Sequence, residues 1–221
     1  MKLTYLGHNT HLIEVNQITI LVDPFFPEGL PELPKKIHYL LVTHAHQDHI
    51  LNVEELLTIY KCQVISNYEV TSFFIDKGHQ GLPMNHGGDI TESGVNFKAV
   101  NAVHSSSFPD GSYGGNPLGF VISTEHASIY LAGDTALTMD MKLIPLTCRA
   151  LDLAILPIGN VFTMGYKDAC LAADFVQCQR VIGCHYDTFP PIKIDKDAAV
   201  NYFADKGNEL LLLDIGESIT V

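Results

Sequence analysis

The chain opens on short stretches in which apolar and polar residues alternate. Residues 2–6, 12–15 and 18–22 each read as a strand, and Asn16-Gln17 supplies a turn between the last two. After a proline-rich loop over 24–34, residues 37–42 are apolar without alternation, the pattern of a strand buried on both faces. The period then changes. From Ile50 to Tyr60 the apolar residues Val53, Leu56, Leu57 and Tyr60 recur at helical spacing. Residues 63–66 predict a further strand and 70–77 a further helix.

The second half has the same flavour. Residues 95–103 and 118–123 read as strands, separated by HSSSFPDGSYGGNP, a loop dense in Gly, Ser and Pro. So long a loop in a compact chain is usually functional or mobile. A strand over 128–132 runs into Gly133-Asp134-Thr135, a strand over 153–156 precedes a helix over 167–176, and a strand over 180–183 runs into Cys184-His185. A last helix starts near Asp195, a good N-cap residue, with Ala198, Ala199, Tyr202 and Phe203 on one face. Residues 209–213 and 218–221 close the chain as strands. No tandem repeat, low-complexity tract or linker interrupts it, so the expectation is one α+β domain over 1–221, with two sheets sandwiched between helical layers.

Composition narrows the partners. The chain has 221 residues, 47% of them hydrophobic and 17% charged, which excludes a disordered protein. Net charge is −12, the only arginines are Arg149 and Arg180, and Lys35-Lys36 is the one visible basic pair. A nucleic-acid surface needs clustered cations, so nucleic acid is not an expected partner. The N-terminus carries no signal-peptide apolar block, and no apolar stretch approaches the ~20 residues that span a bilayer. Five scattered cysteines without a C-x-x-C pair read as reduced, mostly buried thiols of a cytoplasmic protein.

One segment asks for chemistry. Thr43 to His49 reads THAHQDH directly after the buried strand. His44 and His46, two apart in extended or turning backbone, can point at one ion. Asp48 and His49 begin the following helix, and the change of direction can aim them at a second position, with ions about 3.5–4 Å apart as two-metal chemistry requires. From this chain's own His and Asp frequencies, H-x-H-x-D-H arises by chance on the order of two times in a thousand. The bland alternative, an Asp48 helix cap beside exposed histidines, makes an odd capping device. Further ligands are expected at other strand ends, where His104, Asp134 and His185 each follow an apolar strand.

Together these residues resemble the metallo-β-lactamase superfamily. THAHQDH, the later strand-end His104, AGDT (132–135) and CHYDTFP (184–190) carry the likeness. YLGHNTHLIE (5–14), ILVDPF (20–25), HSSSFPDG (104–111), GGNPLGFVI (114–122), LPIGNVFTMG (156–165) and IGESITV (215–221) extend it over the whole length. The chain is most similar to that superfamily's small metal-dependent hydrolases and, more distantly, to ascorbate-6-phosphate lactonase. The resemblance implies a four-layer αβ/βα sandwich. It implies His44, His46 and His104 on a first divalent metal, Asp48, His49 and His185 on a second, and Asp134 bridging both. Zn²⁺ is the expected metal, with Mn²⁺, Fe and Ni²⁺ compatible with the same ligands. Flavodiiron-type relatives carry Glu where this chain has His46, which favours hydrolysis over redox chemistry.

Around these ligands, Asp23 corresponds to the family's early aspartate and is expected to bond a ligand histidine. The resemblance puts His8 near the metal mouth, as a substrate contact or a support to the site, against the alternative of a surface turn residue. His11, His38, His79 and His126 read as structural or exposed, and His86 as a turn residue. Cys184 reads as a packed thiol rather than a ligand, and Ser105–Ser107 as loop hydroxyls rather than nucleophiles. Residues 162–165 and Asp187-Thr188-Phe189 are expected to shape the pocket. Asn160 stands where the family often has Asp, which puts an acid–base role there in doubt. The expected activity is hydrolysis of an ester, lactone or phosphodiester in a small molecule by a metal-bridging hydroxide, with Asp134 and Asp48 orienting it and shuttling its proton. The alternatives are a non-catalytic metal-binding or sensing protein and an RNA or DNA phosphodiesterase. Homo-oligomerisation stays open.

Overall fold

The N-terminal segments fold as an antiparallel meander that buries all but Lys2, Glu14 and Thr19. The computed structural model describes residues 1–221. In it β1 (Lys2–Tyr5) pairs with β2 (His11–Val15), and β2 with β3 (Ile18–Val22). Asn16 and Gln17 take φ of +49° and +65°, the two-residue hairpin turn whose twist matches its strands. The sheet continues in parallel through β4 (Tyr39–Leu41), β5 (Gln63–Asn67) and β6 (Gln80–Met84). The crossovers carry α1 (Gln47–Ile50), α2 (Val53–Tyr60) and α3 (Tyr68–Asp76).

The second sheet follows the same plan. β7 (Asp89–Glu92), β8 (Val95–Asn101), β9 (Leu118–Ser123) and β10 (Ser128–Leu131) are antiparallel, and β11 (Leu153–Pro157), β12 (Arg180–Cys184) and β13 (Glu209–Leu211) continue in parallel. Its helices are the short α4 (Ile144–Thr147), α5 (Tyr166–Phe175) and α6 (Lys196–Asp205). Finally β14 (Ser218–Thr220) returns to the first sheet and pairs antiparallel with β1.

Three apolar layers hold these elements. Leu3, Ile13, Ile20, Leu41 and Ile65 of the first sheet pack with Phe97, Phe120, Ile129 and Ile155 of the second. On the outer face of the first sheet, Leu21, Leu40 and Val64 pack with Val53, Leu56 and Phe74 of α2 and α3. On the outer face of the second, Tyr130, Ala154 and Val181 pack with Ala169, Ala173 and Phe203 of α5 and α6. The result is the four-layer α/β/β/α sandwich. The central strands β4 and β11 are buried at every position, which is why they read as continuous apolar runs.

Several boundaries differ from the sequence reading. The strand expected over 37–42 is regular only over Tyr39–Leu41. The helix expected from Ile50 to Tyr60 is two helices, α1 and α2, separated by Leu51 and Asn52. The strand β8 stops at Asn101, two residues early. Two edge strands, β6 and β7, and the turn of helix Met139–Leu143 with α4 were not expected. β6 contains Gly81 and Pro83, both poor strand formers, and β7 is exposed or half-buried throughout, so neither carries an apolar alternation. Asp195 caps α6 as expected, its Oδ1 accepting the Ala198 N–H at 3.0 Å.

Candidate metal centre

Chain direction puts the site at one end of the sandwich. β1, β3 and β4 run the same way in the first sheet, and β8, β10 and β12 run the same way in the second. The residues just beyond their C-terminal ends therefore gather at one edge of each sheet: His8, Asp23 and the 44–49 segment on one, His104, Asp134 and His185 on the other. Gly133, at φ +63°, lets the second edge close on the first. A Cβ there would lie 2.9 Å from the Thr43 side chain and 3.1 Å from the Leu118 carbonyl, so only glycine brings Asp134 beside His44.

The ligand-type atoms converge in three overlapping groups: His44, His46 and His104; His44, His49 and Asp134; and His8, Asp48, His49 and His185. Within each group the candidate atoms lie within 4.8 Å of one another. Asp134 Oδ2 is the meeting point, 3.0 Å from His185 Nε2, 3.5 Å from His49 Nε2 and 3.6 Å from His104 Nε2. Asp48 Oδ2 lies 3.7 Å from His185 Nε2 and 3.9 Å from His49 Nε2. It does not cap α1, whose N-cap position is His46 and lacks a side-chain capping bond.

Hydrogen bonds behind these rings set which nitrogen faces inward. Asp23 is fully buried and accepts from His49 Nδ1 at 2.8 Å, from the Thr43 N–H at 2.8 Å, from Thr43 Oγ1 at 2.7 Å and from Asn9 Nδ2 at 2.7 Å. With Nδ1 donating to Asp23, His49 turns its Nε2 toward Asp134. Because the Thr43 hydroxyl spends its proton on Asp23, it accepts from His44 Nδ1 at 3.0 Å, and the unprotonated His44 Nε2 accepts from His46 Nδ1 at 2.9 Å. A carboxylate that fixes ring orientation and tautomer is the support metal-ligating histidines need.

Electrostatics fit a cation. Burial lowers the imidazole pKa of His44, His46 and His104, which keeps their lone pairs available. Burial also opposes charge on Asp48, but His185 and His8 outweigh it and hold the carboxyl below the usual range. For Asp134 burial is outweighed by His49 and His185. Burial disfavours protonated His185, yet Asp134 lifts its pKa to about 9. His49 Nε2, Asp134 Oδ1 and both ring nitrogens of His185 are buried without a hydrogen-bond partner. Burying such groups unpaired costs about 1–3 kcal/mol each. Burial likewise opposes charge on His49, but Asp134 and Asp23 raise its pKa well above the usual imidazole value. Neutral His44, His46 and His104, the anionic carboxylates and these orphaned atoms suit a divalent cation as the common partner, to which His49 and His185 bind by giving up a proton.

For His8 the sequence left two readings, a place near the metal mouth or a surface turn. His8 is 3% exposed, at φ +52°, so it is no surface turn residue. Its Nε2 donates to Asp48 Oδ2 at 3.1 Å, since a carboxylate can only accept, and its Nδ1 accepts from Thr188 Oγ1 at 2.9 Å. Phe25 and Phe189 rings flank it, each with a centroid 5.4 Å away. The sequence reading missed Thr43 and Asn9 as supports of Asp23. Thr43 directly precedes the motif, which was a usable signal, whereas Asn9 had none. Ser105 Oγ comes within 3.4 Å of His46 Nε2, while Ser106 ties Ala45 to Gly114. Asn160 is exposed and shapes a turn at φ +62°, its backbone bonding Met164. Cys184 is fully buried, and burial pushes its thiol pKa up. His11 is fully buried, His86 Nε2 bonds the Pro117 carbonyl, and His126 is exposed.

The sandwich and this histidine–aspartate edge define a member of the beta-lactamase superfamily: the model of the beta-lactamase superfamily domain matches residues 2–185, and the chain belongs to that family. It is 52% identical over 225 residues to a UPF0173 metal-dependent hydrolase of Christiangramia forsetii, covering 99% of both chains. A UPF0173 metal-dependent hydrolase of Thermus thermophilus is 40% identical over 223 residues, covering 98% of this chain and 97% of its own. Among solved structures, Igni18, a metallo hydrolase of Ignicoccus hospitalis, superposes with a TM-score of 0.88 at 31% identity, over 99% of this chain and 97% of its own.

Proposed function

We propose that the chain is a single-domain, dinuclear metal-dependent hydrolase that cuts an ester, lactone or phosphodiester bond in a small molecule. The relatives named metal-dependent hydrolase support the reaction class. The observation that carries the dinuclear reading is Asp134 Oδ2, which lies within 3.6 Å of histidines from both ligand groups. His44, His46 and His104 would hold one ion and Asp48, His49 and His185 the other, with Asp134 within reach of both groups. Imidazole and carboxylate donors suit Zn²⁺ and tolerate Mn²⁺, Fe or Ni²⁺.

Two divalent ions bound there supply hydroxide near neutral pH and positive charge against the carbonyl or phosphoryl oxygen. Asp134 orients the attacking oxygen from a fully desolvated position. Asp48 keeps 24% side-chain exposure, so its carboxylate is the one able to pass a proton between the site and solvent. His8 fixes the Asp48 carboxylate from behind, and Thr188 fixes His8. Ser105 is a positioning hydroxyl at the mouth. With a net charge of −12 and two arginines, the chain is suited to small molecules rather than nucleic acid. Five free cysteines accord with a reducing, cytoplasmic setting, and no helix is long and apolar enough to cross a membrane.

Metal analysis of the purified protein, coupled to a panel of esters, lactones and phosphodiesters, tests the proposal. The expected result is two divalent ions per chain and turnover that Asp134→Ala reduces at least about a hundredfold. A full metal complement with no turnover supports a metal-binding or sensing role instead. Preferential cleavage of RNA or DNA supports the phosphodiesterase reading. A native, ordered protein without affinity for metal overturns the proposal.

A further inference from the structure

His8 and Thr188 belong to two features at once. They brace Asp48, and they also line a cavity of about 590 Å³, within the range that holds a small-molecule group. Its walls include the rings of Tyr5, Phe25, Phe26 and Tyr186. Phe25 is half-buried while Tyr5, Phe26 and Tyr186 are buried, so Phe25 offers most of the rigid apolar surface, at little entropic cost. The charged residues on its lining are Glu28, Asp187, Asp214 and Lys196. Lys196 is already engaged: its Nζ is 3.3 Å from Asp187 Oδ2 and 5.3 Å from the Tyr186 ring centroid. Glu28 and Asp214 make no ion pair, and both are exposed at the rim. Neither arginine reaches the cavity: Arg149 bonds the 124–126 carbonyls and Arg180 pairs with Glu209. An anionic group entering here meets two unmatched carboxylates and no free cation.

We propose that this cavity receives the side group of the substrate, and that the group is aromatic or branched apolar and neutral or cationic, never anionic. The inference rests on the hydrolase reading of the adjoining centre and narrows its substrate class. A phosphorylated sugar, with a dianion to place, does not fit this wall. An aryl or alkyl group lies against Phe25 and the accessible parts of Tyr5, Phe26 and Tyr186, and a positive charge beyond it is matched by Glu28 and Asp214.

Three 4-nitrophenyl esters of 3-arylpropionic acids test this on the metal-loaded protein, with hydrogen, trimethylammonium or sulfonate at the para position of the ring. The neutral and cationic esters are expected to exceed the sulfonate about tenfold in kcat/KM, since each exposed charge contact contributes about two- to fivefold. The double variant Glu28→Lys/Asp214→Lys, at two exposed positions, is expected to reverse the order of the cationic and sulfonate esters. The three corresponding 3-arylpropanols, titrated calorimetrically, give the same comparison without turnover. Alcohols that bind in this order, and reverse in the double variant, uphold the cavity assignment even if no ester is cut, in which case the hydrolase reading fails alone. Esters that are all cut equally well, or that are cut in an order the double variant leaves unchanged, overturn the cavity assignment alone. Failure of all three alcohols to bind overturns it as well.

Discussion

Asp23 does more than its place before Pro24 suggests. Four donors converge on one buried carboxylate, and through Thr43 and His49 it sets the inward-facing nitrogens of two rings. Asp23→Asn keeps the shape but offers one acceptor oxygen and turns an NH₂ toward donors. Metal affinity, read by competition with a chelator of known affinity, is expected to fall about 10–100-fold; an unchanged affinity removes Asp23 from the site. His11 makes a second prediction. It is fully buried, donates Nδ1–H to the Asn9 carbonyl at 3.0 Å, and leaves Nε2 without a partner. Burial depresses its pKa from 6.5 to about 4. The unfolded chain takes up a proton below pH 6.5 that the fold refuses until about pH 4, so this contribution is complete above 6.5 and is lost as pH falls toward 4. At about 1.4 kcal/mol per unit it amounts to about 3 kcal/mol. Gln at position 11 does not titrate. Urea unfolding of the metal-free proteins should therefore show the advantage of wild type over His11→Gln shrinking by about that amount from pH 7 to pH 4. A pH-independent difference contradicts the assignment.

At the scale of elements, the site depends on how strands end rather than on how they run. Asn67 shows it for a loop far along the chain. Its Oδ1 accepts the Val70 N–H at 2.8 Å and caps α3, while its Nδ2 donates to the Gly114 and Asn116 carbonyls at 2.8 and 3.0 Å. One buried side chain thus starts a helix in the first sheet's layer and ties down the Gly-rich loop that carries Ser105 and Ser106. A lost cap costs about 1 kcal/mol and stranding the buried Gly114 carbonyl adds about 1–3 kcal/mol, whereas exposed Asn116 can turn to water. Asn67→Ala is therefore expected to destabilise by about 2–4 kcal/mol in urea titrations, and a loss near zero refutes this role. The elements legible in the sequence were those with a strong period. The central strands, α2, α5 and α6 carry clear apolar patterns. The edges β6 and β7 do not, because an edge strand has little apolar surface to bury and its pairing is decided by the neighbour.

For the whole molecule, the centre draws its side chains from both sheets. His8, Asp23 and residues 44–49 come from the first, and His104, Asp134 and His185 from the second. A metal bound to both binds only the folded state, so its binding energy adds to the stability of the sandwich. At a thousandfold excess over Kd this is about 4 kcal/mol, or about 10 °C for a chain of this size. Calorimetry of metal-loaded and chelator-treated protein is expected to show that drop, and Asp134→Ala should lose most of the metal-dependent part. Equal melting temperatures in both states contradict a site shared between the sheets.

The sequence by itself determined the layered α+β architecture, because apolar period and strand length are local properties that any segment displays before it folds. It also determined the ligand-type residues, since THAHQDH places four of them in one turn of chain and each of the others follows an apolar strand. What only the tertiary structure decided is how distant segments meet. It brought His8 against Asp48 and Thr188, four donors onto Asp23, and an aromatic, acid-rimmed cavity beside the centre. Those contacts join residues up to 180 positions apart, and no local pattern in the chain encodes a distance of that kind.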